Sequence, residues 1–176
     1  LYLFFCPQNE HATMRLSRFT VRDEKLDLAS EIKLLDYPID VEGAIHMGGG
    51  MWMDGEGRLL IGTGDNCPPI PELPVDRRPG KKISDAMRTA ANSRDLRGKV
   101  LRIQPQPDGS YTIPSDNLFP DGKDGRPEIF AMGCRNPFRV TVDDETGAVY
   151  WGDVGPNIQV DLGIGPNGYD EVNRQT

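Results

Sequence analysis

Twice along this chain a short strand-like run meets an Asp/Gly turn, returns as a second apolar run and ends on Gly-Asp. Met53-Asp54-Gly55-Glu56-Gly57-Arg58-Leu59-Leu60-Ile61-Gly62-Thr63-Gly64-Asp65 is one copy. Val142-Asp143-Asp144-Glu145-Thr146-Gly147-Ala148-Val149-Tyr150-Trp151-Gly152-Asp153 is the other. A unit that recurs in degenerate copies predicts a repeat architecture. Short strands joined by regular turns predict an all-β chain, a β-propeller built of four-stranded blades. At roughly 40–50 residues per blade, the chain covers about three to four blades. A closed propeller has more, so the sequence reads as an internal part of one propeller domain, 1–176, with no second domain.

Composition agrees with many turns between short strands. The 176 residues hold 20 glycines and 15 prolines, residues that punctuate loops rather than build long helices. The net charge of -7 argues against nucleic acid and against an anionic membrane face as partners. The one basic cluster, Arg77-Arg78 with Lys81-Lys82, sits among Pro and Asp and reads as a solvated loop. Cys6, Cys67 and Cys134 are far apart, with no Cys-x-x-Cys, which argues against a zinc ribbon or redox dithiol and leaves one disulfide open. No apolar run approaches the roughly 20 residues of a membrane-spanning helix.

Leu1 to Phe5 predicts a buried strand, Arg15 to Arg22 a half-buried one, and Glu31 to Tyr37 another ending at Pro38. Met51-Trp52-Met53 and Arg58 to Thr63 predict a hairpin whose second strand delivers Asp65 to a loop. Further strands are expected at Lys99 to Ile103, Ser110 to Ile113, Glu128 to Met132, Phe138 to Val142 and Ala148 to Trp151. Residues 66–95 stand apart as a Pro-rich insertion loop with five prolines and one short helix expected around Ser84 to Ala91. A loop of this length is either functional, as a lid, or disordered.

Polar groups able to do chemistry gather at strand ends, where an all-β scaffold builds a site. His46 precedes Met47-Gly48-Gly49-Gly50, glycines that let another group approach the backbone. It is either a general base or a loop histidine bonded to backbone. Asp65 could fix the tautomer of such a base or simply cap its own turn. Arg135-Asn136-Pro137 offers a fixed cation and an amide suited to an anionic or carbonyl-rich ligand, or a structural arginine between blades. Gly155-Pro156 and Gly165-Pro166 leave carbonyls of the kind calcium takes, with Asp153, Asp161, Asp170 and Glu171 nearby; ordinary turns are the plainer reading. His11 lies in a polar loop and is incidental. Gly163-Ile164-Gly165-Pro166-Asn167-Gly168 fits G-x-G-x-x-G, but its proline and the lack of a following helical pattern reject a dinucleotide fold.

Taken in order, these motifs resemble the glucose/sorbosone dehydrogenase family, six-bladed propellers of the soluble quinoprotein glucose dehydrogenase and aldose sugar dehydrogenase type. The resemblance runs from about Gly43 to Asn173. It rests on His46 with its glycines and Gly64-Asp65, on Gly98-Lys99-Val100-Leu101-Arg102-Ile103, on Gly133-Cys134-Arg135-Asn136-Pro137, and on Gly155-Pro156-Asn157 with Asp170-Glu171-Val172-Asn173. Asn92 to Lys99 and Tyr111-Thr112-Ile113-Pro114 are similar to the subgroup found beside ThuA-like, PKD or cytochrome c modules in secreted bacterial proteins.

The resemblance implies oxidation of an aldose at its anomeric hydroxyl, dependent on pyrroloquinoline quinone (PQQ) and calcium. His46 would take the hydroxyl proton while hydride passes to the quinone, and Asp65 would orient His46. Arg135 and Asn136 would contact PQQ, and the carbonyls of Gly155 and Pro156 would hold calcium. The longer stretch between Gly155-Pro156 and Asp170-Glu171 leaves open which Gly-Pro pair meets the metal. A cytochrome c as electron acceptor and a periplasmic or secreted location are implied too. Two alternatives remain open at this point: a non-catalytic propeller that binds glycan or protein, since fold alone does not establish function, and a metal-dependent lactonase.

Overall fold

The computed structural model describes residues 1–10, 12–43, 45–68, 77–156 and 168–176. It contains three antiparallel sheets and, among the described residues, only short 3-10 turns of helix. The first sheet is β1 (Tyr2–Phe5), β2 (Thr13–Arg22) and β3 (Lys25–Pro38) in that order. The second is β4 (Met51–Met53), β5 (Leu59–Thr63) and β6 (Lys99–Pro105), with β7 (Tyr111–Thr112) and β8 (Ile129–Met132) both paired to β6. The third is β9 (Pro137–Val142), β10 (Val149–Asp153) and β11 (Glu171–Gln175).

The sheets stack as blades because the middle one is apolar on both faces. In β5 every residue is buried, as expected for a strand covered on both sides. Leu59 and Ile61 of β5, with Leu101, Ile103 and Ile129, meet Met14, Leu16, Leu35 and Tyr37 from the first sheet and Ile39 just after it. On the opposite face Leu60, Val100 and Phe130 meet Val140, Val142, Val149 and Trp151 of the third. Each such fully buried aliphatic side chain contributes about 2 kcal/mol relative to exposure, so the middle sheet holds its neighbours on both sides.

The structure differs from the sequence expectations in instructive places. The β2–β3 hairpin runs much further than Arg15 to Arg22 and Glu31 to Tyr37, pairing Thr13 with Pro38 and Arg22 with Lys25. Its outer half continues the alternation, with Leu26 and Leu28 set between Lys25, Asp27 and Ala29, but is largely exposed. The turn residues Asp23 and Glu24 both have positive φ, 48° and 60°, as a two-residue hairpin turn requires. No sequence pattern predicts β11: its solvent-facing Glu171, Val172 and Arg174 lack an apolar period.

The helix expected at Ser84 to Ala91 is instead two 3-10 turns, Lys82–Ser84 and Ala86–Arg88. Asp85 between them is extended (φ -101°, ψ 94°), and its carboxylate caps Met87 N–H, a local bond that competes with continuous helix. The disulfide that the sequence leaves open does not form: Cys6 is exposed, Cys67 and Cys134 are buried, and all three are thiols. No described helix is long and apolar enough to cross a membrane, which says nothing of β-barrels.

Candidate functional site

Two loops lie backbone against backbone at one end of the middle sheet. One is 45–50, leading into β4; the other is Gly64 to Cys67, leaving β5. Gly49 N–H donates to Gly62 O (3.0 Å), Gly62 N–H to Gly50 O (2.8 Å) and Asn66 N–H to His46 O (3.3 Å). The fit needs glycine. A Cβ on Gly64 would stand 1.7 Å from His46 O, and one on Gly48, whose φ is +72°, 2.1 Å from Gly62 O. The group that approaches the glycine run is therefore the neighbouring strand's own backbone. Gly64→Ala is expected to separate the two loops, lowering the melting temperature and activity together. Thermal unfolding and turnover of the full-length protein would check it, and wild-type values for both would contradict this packing.

That backbone contact carries His46 to Asp65. His46 Nδ1 lies 2.9 Å from Asp65 Oδ1, and the two side chains are only 8% and 4% exposed. The same Oδ1 accepts Cys67 N–H at 2.8 Å. A carboxylate oxygen has no proton to give, so Nδ1 is the donor and carries the hydrogen. Nε2 is then the nitrogen with the lone pair. The imidazole is held as a base whose orientation a carboxylate sets. His46 has φ 52°, a left-handed conformation uncommon outside glycine and asparagine.

Arg135 and Asn136 come from the loop between β8 and β9. Their N–H groups donate to Asp153, Arg135 N to Oδ2 at 2.9 Å and Asn136 N to Oδ1 at 2.6 Å. Arg135 O in turn accepts Asp65 N–H at 2.8 Å, and Asn136 Oδ1 accepts Gly48 N–H at 2.9 Å. All four sequence-predicted side chains are thus within one hydrogen-bonded unit. The amide oxygen of Asn136 is committed to Gly48, which leaves its NH₂ for a ligand.

The Arg135 guanidinium donates to Val154 O at 3.0 Å; among the described residues its other donors have no partner. Burial lowers its pKa, and the carboxylates of Asp65 and Asp153 act against that shift, so it remains a cation. It lines a cavity of about 220 Å³ with Asp65, Asp153, Gly155, Pro156 and Glu171. Ala86 and Ala90 line the same cavity, so the end of the Pro-rich stretch is part of the site. His46 does not itself line this cavity; it is joined to it through Asp65.

Asp153, which the sequence offers only as a carboxylate near the candidate calcium carbonyls, instead organises the Arg135-Asn136 loop. Its pKa is raised, mainly by burial, while the two backbone N–H groups act the other way. The signal lies in the repeat, since Gly152-Asp153 is the counterpart of Gly64-Asp65. In both copies the terminal aspartate accepts backbone N–H groups and faces the same cavity.

Gly155 N–H donates to Asp170 Oδ1 at 2.9 Å, and the backbone of Gly168 packs against Pro156 O. Among the described residues no group of three or more His, Cys, Asp or Glu side chains could hold a metal ion. His11, Asn157, Asp161, Gly165-Pro166 and most of the rejected G-x-G-x-x-G stretch lie outside the described residues.

Two further residues have roles that the sequence does not reveal, although one of them, Lys99, lies within a quoted motif. Lys99 is fully buried, and its ammonium donates to Thr89 O (2.8 Å), Ala90 O (2.9 Å) and Arg97 O (2.6 Å). Thr89, also fully buried, donates its hydroxyl to Asp65 O at 2.8 Å.

Comparison with known proteins supplies the family. The model of the Glucose / Sorbosone dehydrogenase family matches residues 1–176. The chain is 28% identical over 160 residues to the HIPL2 protein of Arabidopsis thaliana, covering 84% of this chain and 20% of that protein. It is 30% identical over 128 residues to the aldose sugar dehydrogenase YliI of Escherichia coli K12, covering 73% of this chain and 26% of the relative. The chain thus spans about a fifth to a quarter of the length of these relatives. The PQQ-bound form of aldose sugar dehydrogenase from Streptomyces coelicolor superposes with a TM-score of 0.61 at 20% identity, over 98% of this chain and 40% of that one. Three stacked antiparallel sheets, a buried His–Asp pair at their edge and the whole-length family match lead to one conclusion: the chain is part of a β-propeller and belongs to the glucose/sorbosone dehydrogenase family.

Proposed function

We propose that the protein containing this chain oxidises an aldose at its anomeric hydroxyl, with PQQ and calcium as cofactors. The observation that carries this reading is the His46–Asp65 hydrogen bond, which leaves Nε2 as acceptor. His46 takes the proton of the anomeric hydroxyl at Nε2. Asp65 holds the ring and balances the imidazolium that forms. Arg135 offers a half-buried guanidinium to negative charge on the cofactor side, and the Asn136 NH₂ donates beside it.

The lining fits the two cofactors in different ways. The open donors of Arg135 suit a carboxylate- and carbonyl-rich anion such as PQQ. When bound, PQQ supplies the two-electron acceptor that protein side chains lack. The cavity sets this one cation against Asp65, Asp153 and Glu171, so an anionic cofactor calls for added positive charge. Calcium takes backbone carbonyl oxygens, and those of Gly155 and Pro156 are at hand, with Asp170 anchoring the loop. Residues 1–176 form part of one propeller domain in this reading. A periplasmic or secreted location and a cytochrome c acceptor complete the proposal.

The test is a PQQ titration of the full-length protein with and without calcium, followed by absorbance. Tight, calcium-dependent binding is expected, and then acceptor-coupled sugar turnover. Arg135→Met is expected to weaken PQQ at least about tenfold, the loss of one charged hydrogen bond. Absence of binding by a folded protein would shift the reading to a propeller that binds glycan or protein without turnover.

A further inference from the structure

We propose that Thr89 is a positioning residue for the His46–Asp65 pair, acting through the main chain of Asp65. This rests on the dehydrogenase reading above. The direction of an aspartate carboxylate is set by the two peptide planes flanking its Cα and by its own side-chain torsions. The plane before Asp65 is held by Asp65 N–H donating to Arg135 O at 2.8 Å. The plane after it is held by the Thr89 hydroxyl on Asp65 O at 2.8 Å. The carboxylate torsion is held by Cys67 N–H on Oδ1 at 2.8 Å. With all three in place, Oδ1 meets His46 Nδ1 at 2.9 Å.

Of these three restraints, the Thr89 bond is the one made by a hydroxyl, and it comes from 24 residues after Asp65; the Cys67 thiol is a weaker second donor to the same Asp65 O, at 3.8 Å. The hydroxyl has a second neighbour, Ala86 O at 3.3 Å, but its single proton goes to the nearer Asp65 O. Thr89 is itself pinned, because Lys99 Nζ donates to Thr89 O at 2.8 Å. Lys99 starts β6, in the core sheet. A line of hydrogen bonds therefore runs from the sheet through Lys99, Thr89 and Asp65 to the imidazole. It passes through the segment that the sequence presents as an insertion and makes that segment part of the catalytic scaffold. Small displacements of such a pair cost rate more than binding, because reactivity depends steeply on orientation.

The experiment compares Thr89→Val, which removes the hydroxyl at equal volume, with Thr89→Ser, which keeps it, in the full-length protein loaded with PQQ and calcium. Thr89→Val is expected to lower kcat by about tenfold to a hundredfold with the sugar KM within about twofold, and Thr89→Ser to recover most of the rate. In histidine-selective ¹⁵N-labelled protein, the His46 Nδ1 proton resonance is expected to move in Thr89→Val and to stay in Thr89→Ser. Wild-type kcat in Thr89→Val, an equal fall in both variants, or an unmoved resonance would overturn the proposal. If Thr89→Val does not fold, Thr89→Cys, a weak donor of similar volume, takes its place with the same expectations. If no sugar is turned over even by the unsubstituted protein, the dehydrogenase reading fails, and the imidazole resonance alone decides the role of Thr89.

Discussion

His46→Asn is expected to lower sugar oxidation by about 10²–10⁴, the contribution of a positioned general base, while leaving the propeller folded. Asparagine suits this position because His46 has φ 52° and asparagine visits the left-handed region more readily than most residues. Its side-chain amide can still donate to Asp65, so the carboxylate is not left bare. What it lacks is a nitrogen able to accept a proton at the site of Nε2. The change in stability should stay within about 1 kcal/mol, since the amide keeps a donor on Asp65 and no unpaired charge results. Turnover, PQQ binding and thermal unfolding measured together separate the outcomes. Unchanged turnover would remove the base role, and lost PQQ binding would show that His46 holds the cofactor.

Lys99→Met should instead destabilise the fold, by about 3 kcal/mol at neutral pH. Three carbonyls converge on this ammonium. Thr89 O and Ala90 O keep backbone partners, Asn92 N–H and Gly133 N–H, but Arg97 O would be left without one among the described residues. An orphaned buried acceptor and the loss of charged hydrogen bonds each cost about 1–3 kcal/mol. Relief of the ammonium's burial penalty offsets part of this. Burial pulls the Lys99 pKa down to about 8, below its unfolded value of about 10.5.

The pH dependence follows in sign. Between about 8 and 10.5 the unfolded chain holds more protons at this lysine than the folded one, so its contribution to stability rises with pH. Below pH 8 both states are charged, and the contribution is constant at its least favourable. Urea unfolding at pH 7.5 and 9.5 should therefore show the gap between wild type and Lys99→Met widening by roughly 1 kcal/mol per pH unit above 8. The comparison with Lys99→Met is needed because the buried thiols of Cys67 and Cys134, whose pKa values burial raises to about 12, lose stability over the same rise. A constant gap would mean that Lys99 titrates normally.

Much of the fold is legible in the order of the residues. The twice-written strand, turn, strand and Gly-Asp unit announces stacked β-sheets, because turn residues and apolar runs act locally. The hairpin Met51 to Thr63 and the strands that follow it lie where alternation or an apolar run places them. The pairing of His46 with Asp65 is readable as chemistry, since a histidine and an aspartate at successive strand ends suit one another, but whether they touch is not. That depends on Gly48 and Gly64 letting two backbones meet, a long-range contact that no local pattern encodes.

β11 is not legible in this way, because Glu171 to Gln175 carries no hydrophobic period, and the outer half of the β2–β3 hairpin carries its alternation on a largely exposed ribbon. Nor are Lys99 and Thr89, which as letters are an ordinary strand lysine and loop threonine. Only the folded chain buries them and supplies the carbonyls that make them structural. Local residue chemistry therefore specifies which segments are strands, where they turn and which side chains are suited to a site. Packing between sheets selects which of those side chains meet, because burial and distant backbone partners, rather than neighbours along the chain, decide whether a polar group becomes part of a site.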